Sequence, residues 1–470
     1  MIVRTYHRTS PRGVLSLTLD FTLMKYTFYS LLLALTLSIS ARAQVPAPAP
    51  AQSQPILLLG GTAHLGTGEV IDNAAVAFSE GKLTSVTKAS AFSEADRSEY
   101  EVIDVTGQHV YPGFILPDTD LGLVEIGAVR ATVDNVEEGS LNPNVRSLVS
   151  YNTDSELIPT FRFNGILLAQ ITPQGGLISG TSSVVQLDAW NWEDAVVAPD
   201  NALHLHWPSR FQNKFDYSSF TITRVPNPEY DEQLKSVKNL FADAKAYADL
   251  EAPTTPNLKL EALRALLADS MQLYIHSNEP REILEGVLFA EQYGVEHIVL
   301  VGGTGMLPVK DFIKERSLPV ILENVHQLPD HPGDDVALPY KVAQLLQQEG
   351  ILVSLAYNEG MTARGRSLPF LAGTAAAYGL KKEEALQLIT ANTATMLGIA
   401  DRVGTLEKGK QATLFVSEGD ALDMRTNRLT YAFIDGRSLT LPAMQEELYQ
   451  KYKDKYEAAA EAPHEEKAEE

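Results

Sequence analysis

Cysteine is absent from all 470 residues of the chain. Its absence excludes disulfides, thiolate zinc sites, cysteine nucleophiles and a lipid-bearing cysteine anchor. Basic residues are also scarce, because 38 lysines and arginines stand against 60 aspartates and glutamates, and the formal net charge is −22. Phosphate backbones and anionic lipid surfaces repel a chain of this charge. We therefore expect no nucleic-acid partner and interpret the acidic excess as a solubility feature.

The first residues have the order of a secretory signal peptide. A lysine after Met24 is followed by an apolar run and then by Ala41-Arg42-Ala43, a small-x-small cleavage pattern. The run is shorter than a membrane span requires, so we expect no membrane span after cleavage and an exported protein, periplasmic or secreted. Residues 1–43 are predicted to be a non-mature leader and signal peptide with Met24 as the better start. Residues 44–55 are predicted to be a Pro/Ala-rich linker.

The character of the mature chain changes twice. Residues 56–111 and 403–442 consist of short strand-like runs, whereas residues 112–402 alternate apolar runs such as MQLYIH with amphipathic helical segments such as EPREILEGVLFAEQYG. Repeated strand–helix units predict a parallel sheet that closes into a barrel. We predict an α/β fold, a (β/α)8 TIM-like barrel plus a small composite β-sandwich domain from both flanking segments. Residues 443–470 are predicted to be a charged helix and a disordered tail.

Two stretches resemble the amidohydrolase superfamily, particularly its secreted imidazolonepropionase-like branch. Residues 108–115, QHVYPGFI, are similar to the lead-in to barrel strand 1, and residues 385–410, ALQLITANTATMLGIADRVGTLEKGK, are similar to the carboxyl-terminal signature. Both occur in the family's order, and the resemblance extends over most of the mature chain. It implies metal-dependent hydrolysis of C–N bonds in cyclic amides or dipeptide-like compounds.

The resemblance also implies where the metal ligands should lie, and the first of these positions are altered. Active members end strand 1 with His-x-His, because alternate strand residues share a face and can aim two imidazoles at one metal. Asp118 and Asp120 occupy these positions, and His276 keeps the strand-5 histidine. Together the three residues predict a degenerate site for at most one hard divalent cation, Ca²⁺, Mg²⁺ or Mn²⁺, with zinc not expected. Alternatively, the aspartates cap a loop or pair with an arginine, and His276 is structural.

The remaining family positions are altered as well. The strand-6 histidine falls at Gly302, Gly303 and Thr304, which we expect to line the pocket. The proton-shuttling aspartate of strand 8 is matched by Asn358, whose amide cannot act as a general base. Glu359 replaces that aspartate only if a bulge re-aims its side chain.

A second His-x-His, from His204 to His206, lies in a long insertion near three tryptophans. Its spacing suits one face of a strand, but it does not follow a Pro-Gly-Phe turn. We interpret it as part of an aromatic packing patch rather than as a relocated metal site.

Two functions stay open, and with them the question whether the chain is an enzyme. In the first, the chain is an impaired family member, a pseudoenzyme that binds a small molecule, an active paralogue or a second copy of itself. In the second, it is an active C–N hydrolase with a rebuilt carboxylate-rich site that includes Asp118, Asp120, His276 and Glu359. The replaced ligands favour the first, because metal-activated water needs several protein ligands and a base. An open barrel mouth would be compatible with both.

Overall fold

The computed structural model describes residues 47–250, 255–323, 325–331, 333–357, 361–441 and 444–461. The predicted signal peptide, residues 44–46 of the predicted linker and the tail beyond Glu461 lie outside the described residues. The described residues from Pro48 onward form one compact unit. Within the described ranges, no helix combines the length and the apolar character needed to cross a membrane.

The segment from residue 47 to residue 112 is built mainly of strands. Its elements are β1 (Ile56–Leu59), β2 (Thr62–His64), β3 (Val70–Ile71), β4 (Ala74–Ser79), β5 (Lys82–Lys88), α1 (Glu94–Arg97), β6 (Glu101–Asp104) and β7 (His109–Pro112). A four-stranded sheet has the order β5-β4-β1-β6. The sequence of β4, AAVAFS, is almost wholly apolar, so this strand lies in the interior of the small domain.

The barrel segment follows immediately. Its elements are β8 (Phe114–Thr119), α2 (Ile158–Arg162), β9 (Ile166–Ile171), β10 (Ile178–Gln186), α3 (Trp192–Ala195), β11 (Val196–His206), β12 (Phe211–Asp216), β13 (Thr221–Pro226), α4 (Tyr230–Ala248), α5 (Leu258–Leu267), β14 (Gln272–His276), α6 (Pro280–Gln292), β15 (Ile298–Gly302), α7 (Lys310–Glu315), β16 (Val320–Leu322), α8 (Leu338–Gln348), β17 (Val353–Leu355), α9 (Leu368–Ala377), α10 (Lys382–Gln387) and α11 (Ala391–Met396).

Eight of these strands form one sheet, in the order β17-β16-β15-β14-β11-β10-β9-β8. The ends of the sheet are bridged by the segment after α10, because Ile115 N–H donates to Ile389 O at 2.9 Å and Leu355 N–H donates to Leu388 O at 3.1 Å. The predicted TIM-like barrel is confirmed, with one departure. β10 runs antiparallel to both neighbours. Its connection from β9 is only a short turn, and a parallel strand would need a crossover of a dozen or more residues.

The last strands return to the small domain. They are β18 (Leu414–Ser417), β19 (Leu429–Ile434) and β20 (Arg437–Ser438), followed by the helix α12 (Met444–Glu461). β18 pairs antiparallel with β7, and this pairing completes a six-stranded sheet in the order β20-β19-β18-β7-β2-β3. Phe78 of one sheet meets Phe433 of the other edge to face, with ring centroids 5.0 Å apart. Strands from both ends of the chain therefore share one β-rich domain, as predicted.

Candidate functional site

The strands β11 and β14 bring histidines from two parts of the chain together. The two strands are parallel neighbours in a register that places His204 beside Tyr274 and His206 beside His276. Because alternate strand residues point to the same face, these four side chains share one face of the sheet. The rings of His206 and His276 stack with centroids 4.2 Å apart, and those of His204 and His276 lie 5.2 Å apart.

A carboxylate from β8 completes a group that could hold a metal ion. Within the described part of the chain, ligand atoms of Asp118, His204 and His276 all lie within 4.8 Å of one another. His204 Nδ1 is 2.9 Å from His276 Nε2 and 4.0 Å from Asp118 Oδ1. Asp118 and His204 are fully buried. The group therefore joins barrel strands β8, β11 and β14.

Asp118 and Asp120 do not act as the pair that strand alternation predicts. The pairing of β8 with β9 shifts register between Leu116 and Thr119, and Asp118 has a φ of 50°. Such a bulge changes the direction of the side chains that follow it. Asp120 is accordingly not one of the three residues of the metal-type group. Its carboxylate accepts hydrogen bonds from Asn135 Nδ2 at 2.9 Å and from Thr362 Oγ1 at 2.7 Å.

Burial controls the charge of the histidines. It lowers the pKa of both His206 and His276 to about 3, and the neighbouring His276 imidazole contributes to the shift of His206. Burial also lowers the pKa of His204 well below its ordinary value. All three imidazoles are therefore neutral near pH 7, and the neutral imidazole is the form that binds metal.

A cavity of about 880 Å³ lies over these histidines. Its volume falls within the range of about 300–1,000 Å³ typical of small-molecule sites. His206 and His276 contribute to its lining, and no lysine or arginine is among its described lining residues. The polar and charged residues of the lining include Asp120, Glu125, Asn135, Gln174, Ser277, Asn278, Glu323, Tyr357 and Thr362. The barrel mouth is thus open rather than filled by side chains.

The strand-6 positions differ in their placement. Gly302 lines the cavity, but a Cβ added there would lie 2.3 Å from the Ser277 carbonyl oxygen, so no side chain fits. Gly303 and Thr304 were expected to line the pocket and are not among its lining residues. The reason is local packing. Gly303 N–H donates to Asn278 Oδ1 at 3.0 Å, and Thr304 Oγ1 donates to Asp330 Oδ2 at 2.5 Å.

Asn358 and Glu359, the predicted strand-8 positions, lie outside the described residues. The sequence interpretation did not place His204 and His206 beside His276. Aromatic packing describes them in part, because the His204 ring contacts Tyr274 and Trp207 is buried, whereas Trp190 is 68% exposed. His204 also belongs to the metal-type group. The signal that could have identified them is the His-x-His spacing at the end of an apolar strand-like run.

Comparisons with known proteins agree with this architecture. The model of the amidohydrolase family matches residues 217–441, which include His276 but neither Asp118 nor His204. The imidazolonepropionase of Thermoanaerobacter pseudethanolicus is 24% identical over 382 residues, which cover 76% of this chain and 86% of that protein. The imidazolonepropionase of Caldanaerobacter subterraneus subsp. tengcongensis is 23% identical over 386 residues, with the same coverage of both chains.

Solved structures show the same likeness at the level of the fold. An amidohydrolase from Thermotoga maritima superposes with a TM-score of 0.69 and 24% sequence identity. The superposition covers 82% of this chain and 99% of that one. At this level of identity the likeness concerns the fold.

Proposed function

This chain is a member of the amidohydrolase superfamily, and from that membership we propose that it hydrolyses a C–N bond at one metal ion held by Asp118, His204 and His276. The observation that carries the proposal is the convergence of these three side chains beside an open cavity. The bond belongs to a cyclic amide or a dipeptide-like compound, the substrates that the family resemblance implies. The site is rebuilt, because only His276 keeps its family residue type.

The donor set fits a transition metal better than the hard cation expected from the sequence. Two imidazoles and one carboxylate form a set that suits zinc and related ions, whereas Ca²⁺ and Mg²⁺ prefer oxygen ligands. Two nitrogens on one tetrahedral zinc lie ~3.3 Å apart, given Zn–N bonds of about 2.0 Å. His204 Nδ1 and His276 Nε2 share a hydrogen bond at 2.9 Å, so metal binding would replace this bond and widen the separation by only ~0.4 Å. The bound metal would supply a Lewis acid and an activated water molecule.

Protein groups on the cavity wall supply the remaining functions. The Asp120 carboxylate lines the cavity and accepts one hydrogen bond on each oxygen, from Asn135 and Thr362. A carboxylate has further acceptor capacity, so Asp120 can accept a proton from water. Glu323 lines the same cavity and is the second candidate for this role. His206 stacks on His276 and restricts the orientation of its ring.

The charge of the cavity restricts the substrate. Three carboxylates, those of Asp120, Glu125 and Glu323, line the cavity, and its described lining has no cationic side chain. An acidic lining attracts cations and disfavours a carboxylate-bearing ligand. We propose a substrate that is positively charged or neutral.

A second candidate function is favoured by the strand-6 position. Gly302 offers neither a ligand atom nor space for one, so a two-metal site with a histidine there cannot form without backbone movement. An impaired family member that binds a small molecule, an active paralogue or another copy of the chain would have the same open cavity. Export to the periplasm or medium, proposed from residues 24–43, is compatible with both functions and is tested by N-terminal sequencing of the mature protein.

One set of measurements separates the two functions. Metal content is measured in the purified mature protein, and turnover is measured on cyclic amides and on dipeptides with free or amidated carboxyl ends. The hydrolase function predicts about one equivalent of metal and turnover that favours the amidated compounds. His204→Asn should remove both, and His297→Asn, at a half-exposed surface histidine, should change neither. Ligand-dependent thermal stabilisation without metal or turnover would instead support the binding function.

A further inference from the structure

The hairpin β12–β13 forms a two-stranded sheet of its own. It leaves the barrel directly after β11 and returns to α4. Its strands pair antiparallel, with Phe211 opposite Pro226, Asn213 opposite Arg224 and Phe215 opposite Ile222. An isolated hairpin of this kind is only marginally stable in water unless something packs against it.

The two faces of the hairpin differ in polarity. Residues directly opposite each other share a face, so Phe211, Phe215 and Ile222 lie on one side, with the Asn213–Arg224 pair between them. The other side carries polar residues, namely Gln212, Lys214, Asp216, Thr221 and Thr223. The large apolar side chains of the first face are the unusual feature, because they remain partly or largely exposed.

Exposure on this face increases toward the tip. Phe211 and Phe215 are 44% and 41% exposed, Ile222 is 67% exposed, and the tip residues Tyr217 and Phe220 are 82% and 79% exposed. At about 150–250 Å² per large side chain, these fractions amount to roughly 600 Å² of apolar surface. That is at the upper end of the largest apolar patch on a typical monomer, and such patches mark interaction sites.

The base of the hairpin is attached to α6. Arg224 pairs with Glu279 at 2.6 Å, and its guanidinium lies 4.4 Å from the centre of the Phe211 ring. Arg210, just before β12, pairs with Glu285 at 2.7 Å. These contacts hold the base on its own barrel and leave the apolar tip for another surface.

We propose that this face joins two copies of the chain in a symmetric dimer. A patch of roughly 600 Å² approaches the ~800 Å² that each partner contributes to an interface of standard size. An isologous contact places the same apolar face on both sides, so each copy covers the other.

Charge indicates where on the surface two copies of the chain can meet. Within the hairpin, Lys214 and Arg224 outnumber Asp216 by one, although the whole chain has a net charge of −22. Two such chains repel each other over most of their surface, and the hairpin is a segment free of that acidic excess. A membrane of anionic lipid would repel the bulk of the chain in the same way.

The test is the mass of the full mature protein in solution, measured by light scattering and sedimentation from 0.1 to 50 µM. The wild type should have twice the chain mass. The triple variant Tyr217→Ser, Phe220→Ser, Ile222→Thr should dissociate at concentrations about 100-fold higher or more, because exposed aromatic anchors dominate interfaces. The substituted side chains are exposed, so circular dichroism should show an unchanged fold.

The matched control removes exposed apolar side chains elsewhere. Leu328→Ser with Met424→Ser substitutes residues that are 80% and 69% exposed, and it should leave the dissociation constant unchanged. A wild type that stays monomeric at 50 µM would overturn the proposal, as would a triple variant that dimerises like the wild type. Binding of the monomer to vesicles of phosphatidylcholine and phosphatidylglycerol would also overturn it and would assign the face to lipid.

Discussion

The neighbouring strand ends of β11–β14 and of β15 face the same cavity and are built in opposite ways. At the first, His206 and His276 line the cavity with stacked rings, and His204 lies fully buried next to them. At the second, Gly302 lines the cavity with backbone atoms alone, and the Ser277 carbonyl oxygen lies 2.3 Å from the position that a Cβ would take. Both ends are well packed, but only one packs imidazoles. The difference shows that a ligand position depends on the space its neighbours leave as well as on the residue type.

The largest expected effect concerns the histidine-bearing end. His204→Asn and His276→Asn should each weaken metal binding at least about 100-fold, because each removes one ligand of a three-residue set. Isothermal titration with zinc on the metal-free protein measures this change. His297→Asn, at a surface histidine that pairs with Asp269, should bind as the wild type does. If all three variants bound zinc equally well, His204 and His276 would not be metal ligands.

The next effect concerns the glycine-bearing end. Gly302→Ala should lower the free energy of unfolding by about 2–3 kcal/mol, because the new methyl group meets the Ser277 carbonyl and the end of Met306. Gly127→Ala is the matched control, since a Cβ there meets nothing within 4 Å, and its effect should stay within about 0.5 kcal/mol. Denaturant unfolding of both variants measures the difference. If Gly302→Ala were as stable as Gly127→Ala, the strand-6 end would have room for a side chain.

The smallest effect separates the two aspartates of β8. Asp118→Asn should weaken metal binding about 10- to 100-fold, because an amide oxygen is a poorer ligand than a carboxylate. Asp120→Asn should keep the metal and lower turnover by a similar factor, since its carboxylate lies on the cavity wall and outside the ligand group. Loss of metal from both variants would mean that the bulge does not separate their roles. Metal content and steady-state kinetics, measured on the same preparations, distinguish these results.

Much of the fold follows from local patterns in the chain. Apolar runs such as that of β14 alternate with amphipathic helices such as α6, whose buried residues include Ile283, Val287 and Ala290. This alternation predicts strand–helix units, and the strand-like ends predict a second domain. The reversed direction of β10 was not predicted, because an apolar strand has the same pattern in either direction. The short turn between β9 and β10 is the local feature that indicates an antiparallel pair.

The sequence alone determined residue types: a surviving His276, a strand 6 without its histidine, and the absence of thiolate ligands. Only the tertiary structure decided which of these residues meet. His204 lies 72 residues from His276 and becomes its neighbour because β11 pairs with β14. Asp118 and Asp120 lie two residues apart and are separated because β8 bulges at Asp118. Hydrophobic periodicity is a local property that can be read along the chain, whereas strand pairing and bulges result from long-range packing.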